Sequence, residues 1–328
     1  MMFTPLLGRI EEYCSFRVPN QSPILPSPLL QTFITMAPVA TITTVGDAPV
    51  TVPVKPKAAS LEDEVHHDKS TMSTRSRTAF PRPPKFTEKL EERAYLKFRL
   101  AQAFRIFGKL GYDEGVAGHI TVRDPIKTDC FWVNPFGLHF SLIQPDDLLL
   151  VSHTGEILDE SGPSRLLNTA AFAIHSAIHT ARSDVLCAAH SHSVYGRAFS
   201  TLGKEVDMIT QDSCAFYKDH AVYKQFNGVV LAEEEGKNIA ETLGNKKNHG
   251  LLVATSSIEA TVHYFIALEK SCQVQLLANA AGPTVKIGDE EAADTYKTVG
   301  TSYAGWFSGG PAFQLLEANE GVRFEYRK

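Results

Sequence analysis

The central segment reads Val185-Leu186-Cys187-Ala188-Ala189-His190-Ser191-His192-Ser193, with two histidines one residue apart at the end of a continuous apolar run. Such a run is typical of a buried strand. Because alternate side chains of a strand face the same side, the imidazoles of His190 and His192 are expected to lie about 6 to 7 Å apart along the backbone. Two imidazoles at this spacing form half of a candidate metal site.

A third histidine stands in the turn Asn248-His249-Gly250, which opens a second apolar stretch. Three histidines with an open coordination position form one common type of catalytic zinc site. The chain contains 12 histidines, so a His-x-His spacing also arises by chance. The pattern therefore nominates His190, His192 and His249 as metal ligands, with an incidental spacing as the alternative.

Around these histidines, the stretch from about Thr87 to Pro283 resembles the class II aldolase/adducin family. The matching pieces occur in family order: Gly118-His119-Ile120-Thr121-Val122-Arg123, Asn134-Pro135 with Gly137, the Ser164-Arg165 to His179 helix, Ala189-His190-Ser191-His192, Gly228-Val229-Val230, Asn248-His249-Gly250-Leu251, and Leu268 to Gln275. The resemblance implies that His190, His192 and His249 hold a divalent metal, zinc first with iron or manganese as alternatives. It also implies a homotetramer whose active sites lie between subunits.

The order of elements predicts a three-layer α/β/α sandwich with a central, mainly antiparallel sheet of the class II aldolase type, since strands and helices mix without a regular βαβ repeat. Predicted helices are Thr87 (as N-cap, with Leu90 on the apolar face) to Gly108, Asn168 to Thr180, Glu233 to Leu243 and Ile258 to Ala281; predicted strands are Ile120 to Arg123, Phe131 to Val133, Leu148 to Ser152 and Val185 to His190. An exposed loop around Tyr303 and Trp306 is predicted to contact another subunit.

In relatives an apolar half-strand precedes the third histidine. Only four residues separate Leu243 from Asn248 here, so about half a strand is absent. Either the sheet is shortened at this point and His249 does not reach the metal, or a gene-model or splicing error removed the segment and the true product has an intact site.

The first part of the chain has a different composition. Residues 1–83 are rich in proline, serine and threonine and show no sustained period, which predicts a disordered arm before a domain over residues 84–328. Met1 and Met36 are both plausible starts.

Composition limits the function classes. Of 328 residues, 43% are hydrophobic, enough for one sizeable core, and the net charge of −5 gives no nucleic-acid footprint. No apolar run approaches the roughly 20 residues needed to span a bilayer. The five cysteines are widely spaced and form no CxxC motif, which favours a reducing, cytoplasmic compartment. The expected partner is a small-molecule substrate, with neither nucleic acid nor membrane.

One residue that the resemblance implies is missing. In the family's aldolases, a glutamate on the helix before the first ligand histidine moves the substrate proton. This position falls at about Ala171, and no acidic residue occurs from Asn168 to Thr180. A simple aldolase assignment is therefore weakened.

Other polar residues are candidates for the remaining roles. The resemblance and the residue types nominate His119, Arg123, Asn134 and Arg165 for substrate binding, and Tyr217 and His220 for catalytic proton transfer. The alternatives are arginines that bind a structural carboxylate and a solvated loop over residues 211–220. His175 and His179, at i,i+4, have a chelating spacing but are interpreted first as packing or surface residues.

Three functions fit the sequence. The favoured one is a metal-dependent, lyase-type enzyme acting on a small hydroxy-carbonyl or carboxylate substrate. The second is an adducin-like scaffold of the cytoskeleton, without catalysis, which is the only alternative that implies actin or spectrin as partners. The third is an iron-dependent oxygenase or decarboxylase that uses the same three histidines and needs no proton-abstracting glutamate.

Overall fold

A computed structural model of the chain describes residues 80–224, 233–249 and 251–324. The predicted arm lies outside the described residues up to residue 79, as does the Gly228-Val229-Val230 match. The first described residues contact the domain: the ring of Phe80 lies 5.9 Å from that of Phe307, and the Tyr303 hydroxyl donates to the Pro81 carbonyl at 3.0 Å.

The described residues form seven α-helices and seven strands. The helices are α1 Lys89–Lys109, α2 Thr169–Ala181, α3 Val194–Ser200, α4 Glu233–Leu243, α5 Ile258–Ala281, α6 Asp289–Val299 and α7 Ser302–Glu320. The strands are β1 His119–Arg123, β2 Cys130–Val133, β3 Leu149–Ser152, β4 Cys187–His190, β5 His220–Ala221, β6 Asn248–His249 and β7 Leu252–Thr255.

The strands form one sheet in the order β3-β2-β1-β4-β7-β6-β5. Every neighbouring pair is antiparallel except β5 and β6, which are parallel. Helices pack on both faces, so the predicted three-layer α/β/α sandwich with a mainly antiparallel sheet is confirmed. β6 is only two residues long, as the short connection before Asn248 indicated.

The alternation of side chains along the strands divides the core. On one face, helices α2 and α4 pack on the sheet through small and branched side chains: Ile174 and Ile178 of α2, Ile239 of α4, and Ala188, Leu252 and Ala254 of the strands. On the other face, helices α1, α5 and α7 bury the larger cluster, which includes Phe104, Phe107, Phe265, Phe313, Ile120, Ala189 and Val253. A strand buried on both faces has no polar side to expose, which explains the continuous apolar run before His190.

Two sequence predictions were wrong in detail. Helix α1 has Glu88, not Thr87, as its N-cap, without a capping side-chain hydrogen bond, and Leu90 is 72% exposed. The segment around Tyr303 is not a loop but the first turn of α7. There Thr301 caps the helix by accepting from the Ala304 N–H at 3.0 Å.

A buried ion pair fixes the short strand β6. The Lys247 ammonium lies 2.6 Å from the Asp219 carboxylate, and the Lys247 backbone N–H also donates to Asp219 at 2.7 Å. The Tyr296 hydroxyl of α6 donates to the same carboxylate at 2.5 Å. Burial lowers the pKa of Lys247, and the charge of Asp219 opposes that shift. Helix α6 thereby holds the backbone two residues before His249.

No helix in the described ranges is long and apolar enough to cross a membrane. Four of the five cysteines fall in those ranges, and all four are buried free thiols: Cys130, Cys187, Cys214 and Cys272.

Helices α5 and α7 approach closely because glycines stand at their contact. A Cβ atom at Gly309 would lie 2.3 Å from the Glu259 carbonyl oxygen, and one at Gly305 would lie 2.4 Å from the Tyr264 ring. At the neighbouring Gly310, the nearest heavy atom would be 4.0 Å away. The two adjacent glycines thus differ in whether a side chain fits.

This difference predicts opposite effects for two alanine variants. Gly309→Ala forces the helices apart and is expected to lower the free energy of unfolding by about 1 to 3 kcal/mol, the usual cost of overpacking. Gly310→Ala, the matched control, is expected to raise it by up to about 1 kcal/mol through helix propensity. Denaturant unfolding followed by circular dichroism measures both. Equal effects of the two substitutions would contradict the close packing of α5 on α7.

Candidate active site at one edge of the sheet

Four strands bring three histidine positions into one row. In the register of the sheet, His119 of β1 is opposite His190 of β4, which is opposite Leu252 of β7, which is opposite His249 of β6. Residues directly opposite each other on neighbouring strands share a face. The sequence-predicted ligand positions 190 and 249 therefore lie in the same row, on the α2 side of the sheet, although the His249 side chain lies outside the described residues.

His190 has one ring nitrogen engaged with the backbone. Its Nδ1 lies 3.1 Å from the Leu251 carbonyl oxygen. A carbonyl only accepts, so Nδ1 carries the hydrogen and Nε2 of the neutral ring carries a lone pair. This is the arrangement of a metal-binding histidine, whose second nitrogen is held by a carbonyl or carboxylate.

His192 follows the end of β4 and lies next to His190. The two ring centroids are 5.2 Å apart, with the rings edge to face. Two imidazoles bound tetrahedrally to one zinc ion at Zn–N distances of about 2.0 Å have centroids roughly 5 Å apart. Burial, and then the positive charge of Arg197, lower the pKa of His192, so the ring stays neutral. The pair therefore fits a metal in its spacing.

The loop that carries His192 is held by Glu269, a residue for which sequence reasoning found no role. This buried carboxylate of α5 accepts hydrogen bonds from the Ser193 hydroxyl at 2.5 Å and from the Tyr195 and Gly196 N–H groups at 2.8 and 2.6 Å. A carboxylate at the first turn of a helix satisfies its free N–H groups and its dipole. Its position in the middle of a long buried helix was the only signal in the sequence.

Residues of α2 extend the histidine cluster into the core. The His119 Nδ1 lies 2.7 Å from the His175 Nε2, and the Thr121 hydroxyl lies 2.6 Å from the His175 Nδ1 and 2.9 Å from the His179 Nε2. His175 is fully buried and His179 is 5% exposed. These two histidines join helix α2 to β1 and are not surface residues.

Helix α2 places Ala171 in its first turn. Ala171 is 1% exposed, and its N–H donates to the side chain of Asn168, the N-cap, at 3.2 Å. No carboxylate lies on this helix.

Two of the predicted substrate-binding residues reach this edge of the sheet. His119 is buried beside His190, with ring centroids 5.1 Å apart. Because β2 runs antiparallel to β1, its end at Val133 lies at the edge where β1 begins, and Asn134 follows it there. The Asn134 side-chain oxygen is buried without a hydrogen-bond partner in the described chain.

The side chains of the two predicted arginines donate to backbone carbonyls. Arg123 lies at the opposite end of β1, where its guanidinium donates to the backbone carbonyls of Thr128 at 2.9 Å, His179 at 2.6 Å and Arg182 at 3.0 Å. It thus holds the last turn of α2. Arg165 lies in an exposed loop, where it donates to the Asp159 carbonyl at 3.4 Å.

The predicted proton-transfer residues lie at the far side of the sheet. His220 is in β5, three strands away from β4 in the sheet, and its Nδ1 accepts from the Val206 N–H at 3.4 Å. Ala221, not His220, is opposite His249, so the His220 side faces away from the histidine row. The Lys218 ammonium lies over the Tyr217 ring, 5.0 Å from the ring centroid. Within one chain, neither is brought to His190.

In the described parts of the chain, no three histidine, cysteine or acidic side chains are close enough together to hold a metal ion. The described donor set is therefore the pair His190 and His192, together with the backbone position of His249.

Known proteins resemble this chain over most of its length. The sequence profile of the class II aldolase and adducin N-terminal domain matches residues 98–276. Decarboxylase NovR of Streptomyces niveus is 43% identical over 247 residues, which cover 74% of this chain and 91% of that protein. The 4-hydroxy-3-prenylphenylpyruvate oxygenase/4-hydroxy-3-prenylbenzoate synthase of Streptomyces roseochromogenus subsp. oscitans is 44% identical, covering 73% of this chain and 88% of that protein.

A solved structure shows the same fold. It is named L-fuculose 1-phosphate aldolase from Glaciozyma antarctica PI12, has 48% sequence identity and a TM-score of 0.68, and the match covers 73% of this chain and 95% of that one. The profile match, the identities and this structural likeness together show that the chain belongs to the class II aldolase and adducin family.

Proposed function

We propose that this chain is a divalent-metal-dependent enzyme that cleaves a carbon–carbon bond of a small oxygenated carbonyl or carboxylate substrate, with decarboxylation favoured over aldol cleavage. One observation carries the proposal: the imidazoles of His190 and His192 meet at the sheet edge, while the helix beside them carries buried Ala171 instead of a carboxylate. The relatives named as a decarboxylase and an oxygenase support the same choice.

In this proposal, His190, His192 and His249 hold the metal. A bound divalent ion polarises carbonyl and carboxylate oxygens of a substrate. The Leu251 carbonyl keeps His190 in the tautomer with a lone pair on Nε2, and Glu269 fixes the loop of His192. His119 and Asn134, which lie at the same edge of the sheet, contact the substrate, and the buried side-chain oxygen of Asn134 accepts a hydroxyl hydrogen.

The absence of a carboxylate on α2 disfavours aldol cleavage more than it disfavours decarboxylation. Aldol cleavage needs a group that moves a proton at the substrate. Retro-aldol cleavage needs a base for the proton of the substrate hydroxyl, whereas loss of carbon dioxide starts from a carboxylate that has already lost its proton. The carbon that carried the carboxylate then takes a proton from water. A site with neutral histidines and no carboxylate is suited to the second.

The cellular setting and assembly are proposals as well. The buried free thiols are compatible with a reducing compartment such as the cytoplasm. The homotetramer would place surfaces of a neighbouring subunit against the sheet edge.

The metal prediction concerns His190 and His192. Replacing either with alanine removes one imidazole, so bound metal is expected to fall from about one per chain to near zero while the fold is retained. Elemental analysis of the purified full chain measures this, with circular dichroism as the folding check. His153→Ala, at a half-exposed histidine far from the row, is the matched control and should keep the metal.

The identity of the metal discriminates among the three functions. Zinc supports the lyase, iron supports the oxygenase or decarboxylase, and a chain without metal, made from Met1 or from Met36, supports the scaffold. Undiminished metal in the His190→Ala/His192→Ala double variant would contradict the ligand assignment.

The aldolase prediction concerns Ala171. Cleavage of L-fuculose 1-phosphate is expected to be very weak even with metal bound, because general acid–base help is worth roughly 10² to 10⁴ in rate. Ala171→Glu is expected to raise the rate and Ala171→Gln, of the same size, is not. A coupled assay for the aldehyde product measures all three proteins. Strong aldolase activity of the unchanged chain would refute the proposed role of position 171.

The assembly prediction concerns helix α5 and the aromatic start of α7. Light scattering at micromolar concentration is expected to give four times the 36.0 kDa chain mass. A monomeric mass would refute the tetramer and, with it, any site shared between subunits.

A further inference from the structure

An exposed ion pair joins the two segments that flank the histidine row. Glu114 lies in the loop that leads into His119 at the start of β1, and Arg197 lies in α3, which follows His192. The Arg197 Nη1 is 2.6 Å from the Glu114 Oε2. Because β1 begins and β4 ends at the same edge of the sheet, the pair lies at the edge that carries the histidines.

The two segments also touch each other next to the histidine row. The Ser191 hydroxyl donates to the Tyr112 carbonyl. A Cβ atom at Gly118 would lie 3.2 Å from the His190 carbonyl oxygen, and Gly118 has a φ of +96°, so glycine permits both the approach and the backbone conformation. Residues 112–118 therefore run along residues 190–193, and the ion pair joins them at the rim of the candidate site.

Arg197 is held less firmly than the structural arginines of the domain. Arg93 donates two hydrogen bonds to the buried Asp124, and its side chain is only 13% exposed. The Arg197 side chain is 46% exposed and that of Glu114 is 57% exposed. Among the described residues, Glu114 is the one ion-pair or hydrogen-bond partner of this guanidinium. Arg197 is thus a cation at the site that is not committed to the core.

The Arg197 partner is replaceable on physical grounds. An exposed ion pair contributes little to stability, so its loss costs little. A guanidinium has five N–H donors in a planar fork, and a carboxylate in its plane accepts two parallel hydrogen bonds from it. A ligand carboxylate that is held by further contacts with the site therefore displaces the side chain of Glu114.

We propose that Arg197 is the specificity-determining residue of the site and exchanges Glu114 for a carboxylate of the substrate. The assignment rests on the proposed function, because it names the substrate class of the same site. A guanidinium stabilises the charge of a carboxylate and does not help it to leave. The carboxylate on Arg197 is therefore one that the product keeps, and the substrate is a small keto or hydroxy acid with a second carboxylate.

The test compares two probes that differ in one carboxylate. 2-Oxoglutarate has a second carboxylate at the end of its chain, whereas 2-oxopentanoate has the same carbon chain without it. Dissociation constants for the purified full chain are measured by ligand-observed NMR. The chain is expected to bind 2-oxoglutarate about 10-fold or more tightly than 2-oxopentanoate, because hydrogen bonds between charged groups are the strong ones. Equal dissociation constants would overturn the proposal.

Variants of the two partners are expected to act in opposite directions. Arg197→Gln removes the preference for 2-oxoglutarate, and Arg197→Lys keeps only part of it, since an ammonium lacks the planar fork. Glu114→Gln removes the competing carboxylate and is expected to tighten 2-oxoglutarate binding about 2- to 5-fold. The matched control is Arg323→Gln, at another exposed arginine, which is paired with Glu317 after α7 and should leave both constants unchanged.

The double variant Glu114→Gln/Arg197→Gln separates exchange from a general effect of charge. If Glu114 only competes for Arg197, its removal changes nothing once the guanidinium is gone, and the double variant binds 2-oxoglutarate as Arg197→Gln does. Additive effects of the two substitutions would show that both charges act on the probe from a distance, and would overturn the exchange. So would an Arg197→Gln variant that keeps the wild-type preference, or 2-oxoglutarate binding neither to wild type nor to Glu114→Gln.

The outcome is separable from that of the proposed function. Both side chains are exposed, so the variants are expected to keep the fold, which circular dichroism checks. Failure of the chain to take up zinc or iron would overturn the metal enzyme. The preference for the second carboxylate, and its loss in Arg197→Gln, are measured equally in protein without metal.

Discussion

The pairing of β1 with β4, in the register that sets His119 opposite His190, is the constraint on which the rest of the structure depends. These two strands are the third and fourth of the seven in the sheet, and both are buried on both faces. Because side chains alternate, a shift of one residue would turn His190 towards α5 and an apolar residue towards the sheet edge. The fold and the candidate site are thus fixed by the same hydrogen bonds.

Helix α2 enforces this register from one side. His175 and His179 bind His119 and Thr121 of β1, so polar contacts in the core hold the helix against the strand in a single register. An apolar interface would permit small slips at little cost, whereas a buried donor left without its acceptor costs about 1 to 3 kcal/mol. The hydrogen bonds of His175 and His179 with β1 therefore fix the position of His119 at the sheet edge, in addition to filling the core.

Local patterns in the sequence predicted most of the fold. Helices α4 and α5 were predicted with their observed ends, because Ser257 caps α5 by accepting from the Ala260 N–H and Gly282 follows its last residue. The Tyr303 segment was misread because glycines and Pro311 lower its helix propensity, and its stability comes from the close contact with α5 instead.

Non-local contacts explain what the sequence did not predict about the site. The family resemblance grouped His190 with His192 and His249, but nothing in the spacing of Thr121 and His179 indicates that one hydroxyl bridges two helix histidines. Arg123 shows the converse: its charge suggested substrate binding, yet its guanidinium is taken up by backbone carbonyls. Such partners are set by the packing of α2 on the sheet, which local sequence does not encode.

The charge of the proposed site has a consequence for its substrate. Three neutral imidazoles leave a divalent ion with its full positive charge, and no described carboxylate of α2 offsets it. A substrate that brings its own carboxylate neutralises this charge, whereas an uncharged sugar hydroxyl does not. Tyr217 and His220 cannot supply the missing group from the same chain, since three strand spacings of about 4.8 Å separate β5 from β4. Any acid–base partner for His190 must therefore come from the substrate, from the neighbouring His119, or from another subunit.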